Sequence, residues 1–279
     1  MVDSIFIGSE AVAAGELSAN DLRRRYRRLL PDVYGSLTAE PTLCERITAS
    51  WLWTGREGVI AGAAASALLG AEWVDVDTPV ELIWANNRAA TGVVTRRDTL
   101  LDGETTVRPS GLPLTIAERT AFDLARRGSI VNAVARLDAL ARATHFKAAD
   151  VLELASGHPH VRGLRRISRV LDLVDAGAES PKETWLRLLL IRAGYPRPQT
   201  QIPLLGPDGY PIYRLDMGWE DKLIAVEYDG DDHREKSRWR KDVIRSEYIA
   251  HLRWKHIRVV AGEREADVLR RVQRAWLST

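Results

Sequence analysis

The chain has 279 residues, 45% hydrophobic and 28% charged. These ordinary globular values exclude a disordered, collagenous or disulfide-built protein, and the length favours two or three domains over one. Cys44 is the single cysteine, so internal disulfides and multi-cysteine zinc sites are ruled out. No apolar run approaches the ~20 residues that span a bilayer and the start lacks a basic leader, so a soluble, cytoplasmic protein is expected. The net charge of +2 conceals an asymmetry, because residues 181–279 carry 19 Lys/Arg against 15 Asp/Glu.

Three blocks are expected, together a mixed α/β (α+β) chain. Residues 1–55 begin with a short helix around Ser9–Ala14 and a turn at Gly15. A helix over Ser18–Leu30 follows, carrying Arg23, Arg24, Arg25, Arg27 and Arg28, before Pro31 stops it and Val33-Tyr34-Gly35 reads as a strand. Two short helices and a strand suggest a small winged helix. Cys44, Trp51 and Trp53 read as core residues.

Residues 56–178 read as a mixed α/β block. It holds an Ala-rich helix (Ala61–Leu69) and strands at Val80–Trp84, Gly92–Arg96 and Thr105–Arg108. Thr115-Ile116-Ala117-Glu118 reads as a capping box opening a helix to Arg127. Amphipathic helices at Ser129–Thr144, Lys147–Ala155 and Val161–Val174 complete it. No constellation of catalytic type is visible in this block.

Residues 179–279 open on Ser180-Pro181-Lys182-Glu183, a capping box with proline at the first helical position, and run as a helix to Arg192. An extended segment at Tyr213–Trp219, a turn at Glu220-Asp221-Lys222, a strand Leu223–Asp229, a helix Ser237–His251, a strand His256–Val260 and a helix Glu263–Leu277 follow. The expected order, α-β-β-β-α-β-α, indicates a mixed sheet flanked by helices.

Alternation along Leu223–Asp229 puts Leu223, Ala225, Glu227 and Asp229 on one face and Ile224, Val226 and Tyr228 on the other. A hairpin turn at Glu220-Asp221 brings Asp216 toward Glu227, so three acids converge. Carboxylates held close repel and raise one another's pKa. A hard divalent ion such as Mg²⁺, taking one or two carboxylates plus waters and phosphate oxygens, offsets that repulsion and stabilises a phosphodiester in transition. His233, just past Gly230, is placed to move a proton at neutral pH.

Leu215-Asp216-Met217, Ile224-Ala225-Val226-Glu227-Tyr228-Asp229-Gly230 with His233, Asp242-Val243-Ile244-Arg245 and Trp254-Lys255-His256-Ile257-Arg258-Val259 together resemble the very-short-patch-repair (Vsr)-like endonucleases. These form a branch of the PD-(D/E)XK superfamily. The likeness runs from Ser180 onward and implies a restriction-endonuclease-like fold. It also implies Asp216 and Glu227 as ligands of Mg²⁺ or Mn²⁺, Glu183 as the acid on the first helix, and His233 as a catalytic histidine. Asp229 stands where that superfamily carries its catalytic lysine, leaving Lys222 or His233 to substitute.

In the N-terminal block, Gly15-Glu16-Leu17, the arginine-rich helix and Pro31-Asp32-Val33-Tyr34-Gly35 are similar to the winged-helix start of AbiEi-type antitoxins. The likeness continues loosely through Ala61–Leu69, Val80–Trp84 and Pro113–Thr120. It implies a basic helix facing DNA, with Arg23, Arg24, Arg27 and Arg28, and Arg245 in the C-terminal block, as contacts. The expectation is a metal-dependent DNA endonuclease. The alternative is a non-catalytic antitoxin-type regulator that keeps a nuclease fold and pairs with a cognate toxin.

Overall fold

The computed structural model describes residues 5–86, 88–230 and 236–278, without the side chains of residues 236–241. The fold is mixed α/β, with three sheets among the described residues. The chain divides into two compact units, Met1–Asp172 and Leu173–Thr279, so the first two expected blocks share one unit.

In the first unit, β1 (Phe6–Ile7), α1 (Gly8–Ala13), α2 (Ala19–Arg25), β2 (Tyr26–Leu30) and β3 (Val33–Ser36) form two short helices and a three-stranded antiparallel sheet of order β1-β3-β2. Ser18 and Asp21 close a capping box at the start of α2, and Leu22 packs with Phe6 and Ala11. The expected helix to Leu30 is corrected: it ends at Arg25, because Tyr26–Leu30 pairs with β3 (Arg28↔Tyr34) across a turn that Asp32 makes at φ 62°. Sheet pairing overrides the helical propensity of the arginine run.

A helix not anticipated, α3 (Leu43–Trp53), starts at a capping box between Thr42 and Glu45 and buries Trp53 against Trp84. Cys44, expected in the core, is exposed on its first turn.

Strands β4 (Val59–Ala61), β5 (Val80–Ile83), β6 (Val93–Arg96), β7 (Thr105–Val107) and β8 (Pro113–Thr115) form a five-stranded mixed sheet of order β6-β5-β4-β8-β7, with helix α4 (Gly62–Leu68) between β4 and β5. Helices α5 (Ala117–Ala125), α6 (Ile130–Thr144), α7 (Ala148–Ser156) and α8 (Leu164–Asp172) follow. The capping box expected at Thr115 is absent. Ile116 holds the cap position of α5, and the buried Thr115 hydroxyl bonds Thr120 Oγ1 at 2.7 Å instead.

The second unit follows the expected order: α9 (Pro181–Arg192), β9 (Gln199–Leu205), β10 (Pro211–Trp219), β11 (Ile224–Asp229), α10 (Lys236–His251), β12 (Lys255–Val260) and α11 (Glu265–Leu277). Its sheet runs β12-β11-β10-β9, with β11 and β12 parallel and the other pairs antiparallel. Ile224 and Val226 pack with Leu186 and Leu190 of α9 and Val268 and Val272 of α11, whereas Ala225 packs with Ile249 of α10. The alternation read from the sequence therefore sets which side of β11 faces which helix.

Candidate active site: an acid cluster on β10 and β11

The β10–β11 ladder runs Trp219↔Ile224, Gly218↔Ala225, Met217↔Val226. Asp216 and Glu227 are the next residue on each strand. Gly218 is required here, because a Cβ would lie 2.2 Å from the Ile224 carbonyl oxygen. Asp216 Oδ2 accepts from the Tyr228 N–H at 3.2 Å.

Glu227 is buried on the α10 side and carries three charge-assisted hydrogen bonds. Arg245 Nη2 donates to Oε1 at 2.6 Å, Arg245 Nη1 to Oε2 at 2.8 Å, and His256 Nε2 lies 2.6 Å from Oε2. Arg245 also donates to the Arg214 carbonyl at 2.8 Å. Four residues separate Arg245 from Ile249, so one face of α10 delivers both the guanidinium and the apolar contact to Ala225. The parallel pairing Ala225↔His256 and Glu227↔Arg258 explains the rest: His256 reaches Glu227, and Arg258 pairs with Asp229 at 2.7 Å.

Glu183 is buried at the start of α9. Its N–H donates to Ser180 Oγ at 3.1 Å, and its carboxylate accepts from the Ser180 hydroxyl at 2.9 Å and the Glu179 N–H at 2.8 Å. The back-bond of the expected capping box thus goes to Glu179 rather than to Ser180.

These surroundings drive the two central acids apart. Burial, then the negative charges of Glu227 and Glu183, push the Asp216 carboxyl up to about 7. Burial also works against ionised Glu227, but the hydrogen bonds from His256 and Arg245 outweigh it and hold its carboxyl down at about 2. Asp216, Glu227 and Glu183 are therefore electrostatic neighbours, whereas Asp229, the third acid of the expected convergence, is paired with Arg258.

No lysine stands at position 229, and the guanidinium bonded to Glu227 is that of Arg245 on α10. Lys222 lies over the Trp276 ring at 5.6 Å. His233 lies outside the described residues. His256 was missed by the sequence reading, although alternation along β12 beside β11 could have marked it. Of the arginines named for DNA contact, Arg23, Arg24 and Arg28 are exposed on α2 and β2, and Arg27 pairs with Glu40 at 2.7 Å. Arg245 is committed to Glu227. Among the described residues, no group of three or more His, Cys, Asp or Glu side chains is placed to hold a metal ion.

No protein-family description matches the chain. It is similar to uncharacterized protein Rv2248 of Mycobacterium tuberculosis H37Rv and uncharacterized protein MT2308 of strain CDC 1551, each 27% identical over 265 residues, covering 88% of this chain and 93% of the relative. It also shows a distant likeness to the crystal structure of the Rv2827c protein from Mycobacterium tuberculosis. That likeness has a TM-score of 0.43 at 17% identity over 73% of this chain and 84% of the other. No helix among the described residues is long and apolar enough to cross a membrane.

Proposed function

We propose that this chain is a DNA-binding, nuclease-type protein of the cytoplasm that hydrolyses phosphodiester bonds at Asp216 and Glu227 with Mg²⁺ or Mn²⁺. The observation that carries the reading is the half-buried Asp216 carboxyl, placed in the field of Glu227 and Glu183 and raised to about 7. Strongly perturbed acids in a cluster are where functional sites concentrate.

The donors suit a two-carboxylate site of the kind Mg²⁺ accepts, since among the described residues Asp216 is bonded only through Oδ2 and Glu227 Oε1 takes only the bond from Arg245 Nη2. A divalent ion bound there supplies Lewis-acid stabilisation of charge on the phosphate. Asp216 must ionise to ligate, so it sheds a proton near neutrality and affinity rises with pH. Arg245 and His256 keep Glu227 ionised and fix its orientation. Exposed Arg23, Arg24 and Arg28 supply phosphate contacts in the first unit.

Nicking of plasmid DNA with Mg²⁺ or Mn²⁺, measured beside Asp216→Asn and Glu227→Gln, tests the reading. Metal-dependent nicking lost in both variants supports it, and DNA binding without nicking or metal-induced stabilisation refutes it.

A second reading is favoured by Glu227 itself, which already has Arg245 as a counter-charge and His256 as a hydrogen-bond partner. On it, the chain is a non-catalytic AbiEi-type antitoxin or transcriptional regulator that binds DNA, pairs with a cognate toxin and uses this network for stability alone.

A further inference from the structure

The first unit has a cleft of about 280 Å³ lined by the side chains of Glu81, Arg96, Asp123, Arg127, Asn132 and Arg136, among others. Three guanidinium groups there meet two carboxylates, and the carboxylates are already engaged. Asp123 is fully buried and receives Arg119, Arg126 and Arg127, while Glu81 receives Arg96 and Arg127. Arg136 has no hydrogen bond or ion pair among the described residues, and the buried Arg96 Nε has no partner. Burial lowers the pKa of Arg127 despite its acidic neighbours, so this guanidinium gains from a further negative charge. Asn132 and Arg136 stand four residues apart on the 15-residue helix α6. Its first turn lines the cleft and carries no acid to offset the positive end of the helix.

We infer that this cleft binds a phosphate group, with Arg136, Arg96 and Asn132 as its donors. Planar guanidinium groups match phosphate oxygens in pairs. The volume suits a phosphate with part of its ester rather than a whole dinucleotide. The phosphate can come from a free nucleotide or from a nucleic-acid backbone. The site is independent of the Asp216–Glu227 reading, because it uses no residue of the second unit.

The test uses the full chain, with inorganic phosphate, AMP and a duplex oligonucleotide as probes, read by calorimetry and thermal melts. If the source is a free nucleotide, phosphate and AMP bind, Arg136→Gln weakens both by about tenfold or more, and Asp216→Asn leaves both unchanged. If the source is a backbone, only the duplex binds, and Arg136→Gln lowers the slope of log K against log salt by about one. The inference is overturned if Arg136→Gln and Arg136→Glu, each melting like the parent, bind all three probes as the parent does. It is equally overturned if the parent binds none of them.

Discussion

The Asp216 carboxyl, at about 7 in the fold against an ordinary 3.8, and the Glu227 carboxyl, at about 2 against 4.5, make stability depend on pH with opposite signs. Raised Asp216 contributes most below 3.8 and loses that contribution as pH rises toward 7. Depressed Glu227 contributes above 4.5 and loses its contribution as pH falls toward 2. Without divalent ions, Asp216→Asn is therefore expected to flatten the fall in stability between about pH 4 and 7, which urea unfolding against pH measures. A variant as steep as the parent would show that Asp216 ionises freely. Arg245→Gln leaves the buried Glu227 charge to His256 alone, and a loss of roughly 2–3 kcal/mol is expected in the same titration at pH 7. A loss under about 0.5 kcal/mol would place Arg245 among ordinary surface pairs.

At the scale of elements, the legible parts were those where local signals and tertiary pairing agree. Ser180-Pro181-Lys182-Glu183 opens α9 as read, and alternation along β11 sorts Ala225 and Glu227 from Ile224 and Val226. Where pairing competes with propensity the sequence misleads: Arg27 and Arg28 sit on a strand because β3 lies beside them. The Thr42/Glu45 capping box of α3 was visible but followed no clear apolar period. His256 was hidden because its partner lies 29 residues away on a neighbouring strand.

Two predictions belong to these elements. Arg24 on α2 and Arg28 on β2 are both exposed, so replacing both with Gln should flatten the salt dependence of duplex affinity by up to about two log units per log unit of salt. An unchanged slope removes this face from the DNA interface. Glu183 holds the start of α9 through Ser180 and Glu179, and Glu183→Gln should cost about 1 kcal/mol in thermal melts while keeping any metal-induced shift. Loss of that shift would make Glu183 a ligand instead.

At the scale of the whole molecule, the mixed α/β class and the order of the second unit followed from helix stops, caps and strand alternation. The union of the first two expected blocks in one unit did not, because the first unit's sheets share α3, a helix with no strong sequence signature. Joint binding of a divalent cation by Asp216 and Glu227 is tested most directly by the thermal stability of the full chain with and without Mg²⁺ or Mn²⁺ at pH 7.5. Stabilisation of about 2.7 kcal/mol is expected at a hundredfold excess over Kd, and it should be absent in Asp216→Asn and Glu227→Gln. A parent protein that melts identically with and without either ion would rule out that site and leave Glu227, Arg245 and His256 as a structural network.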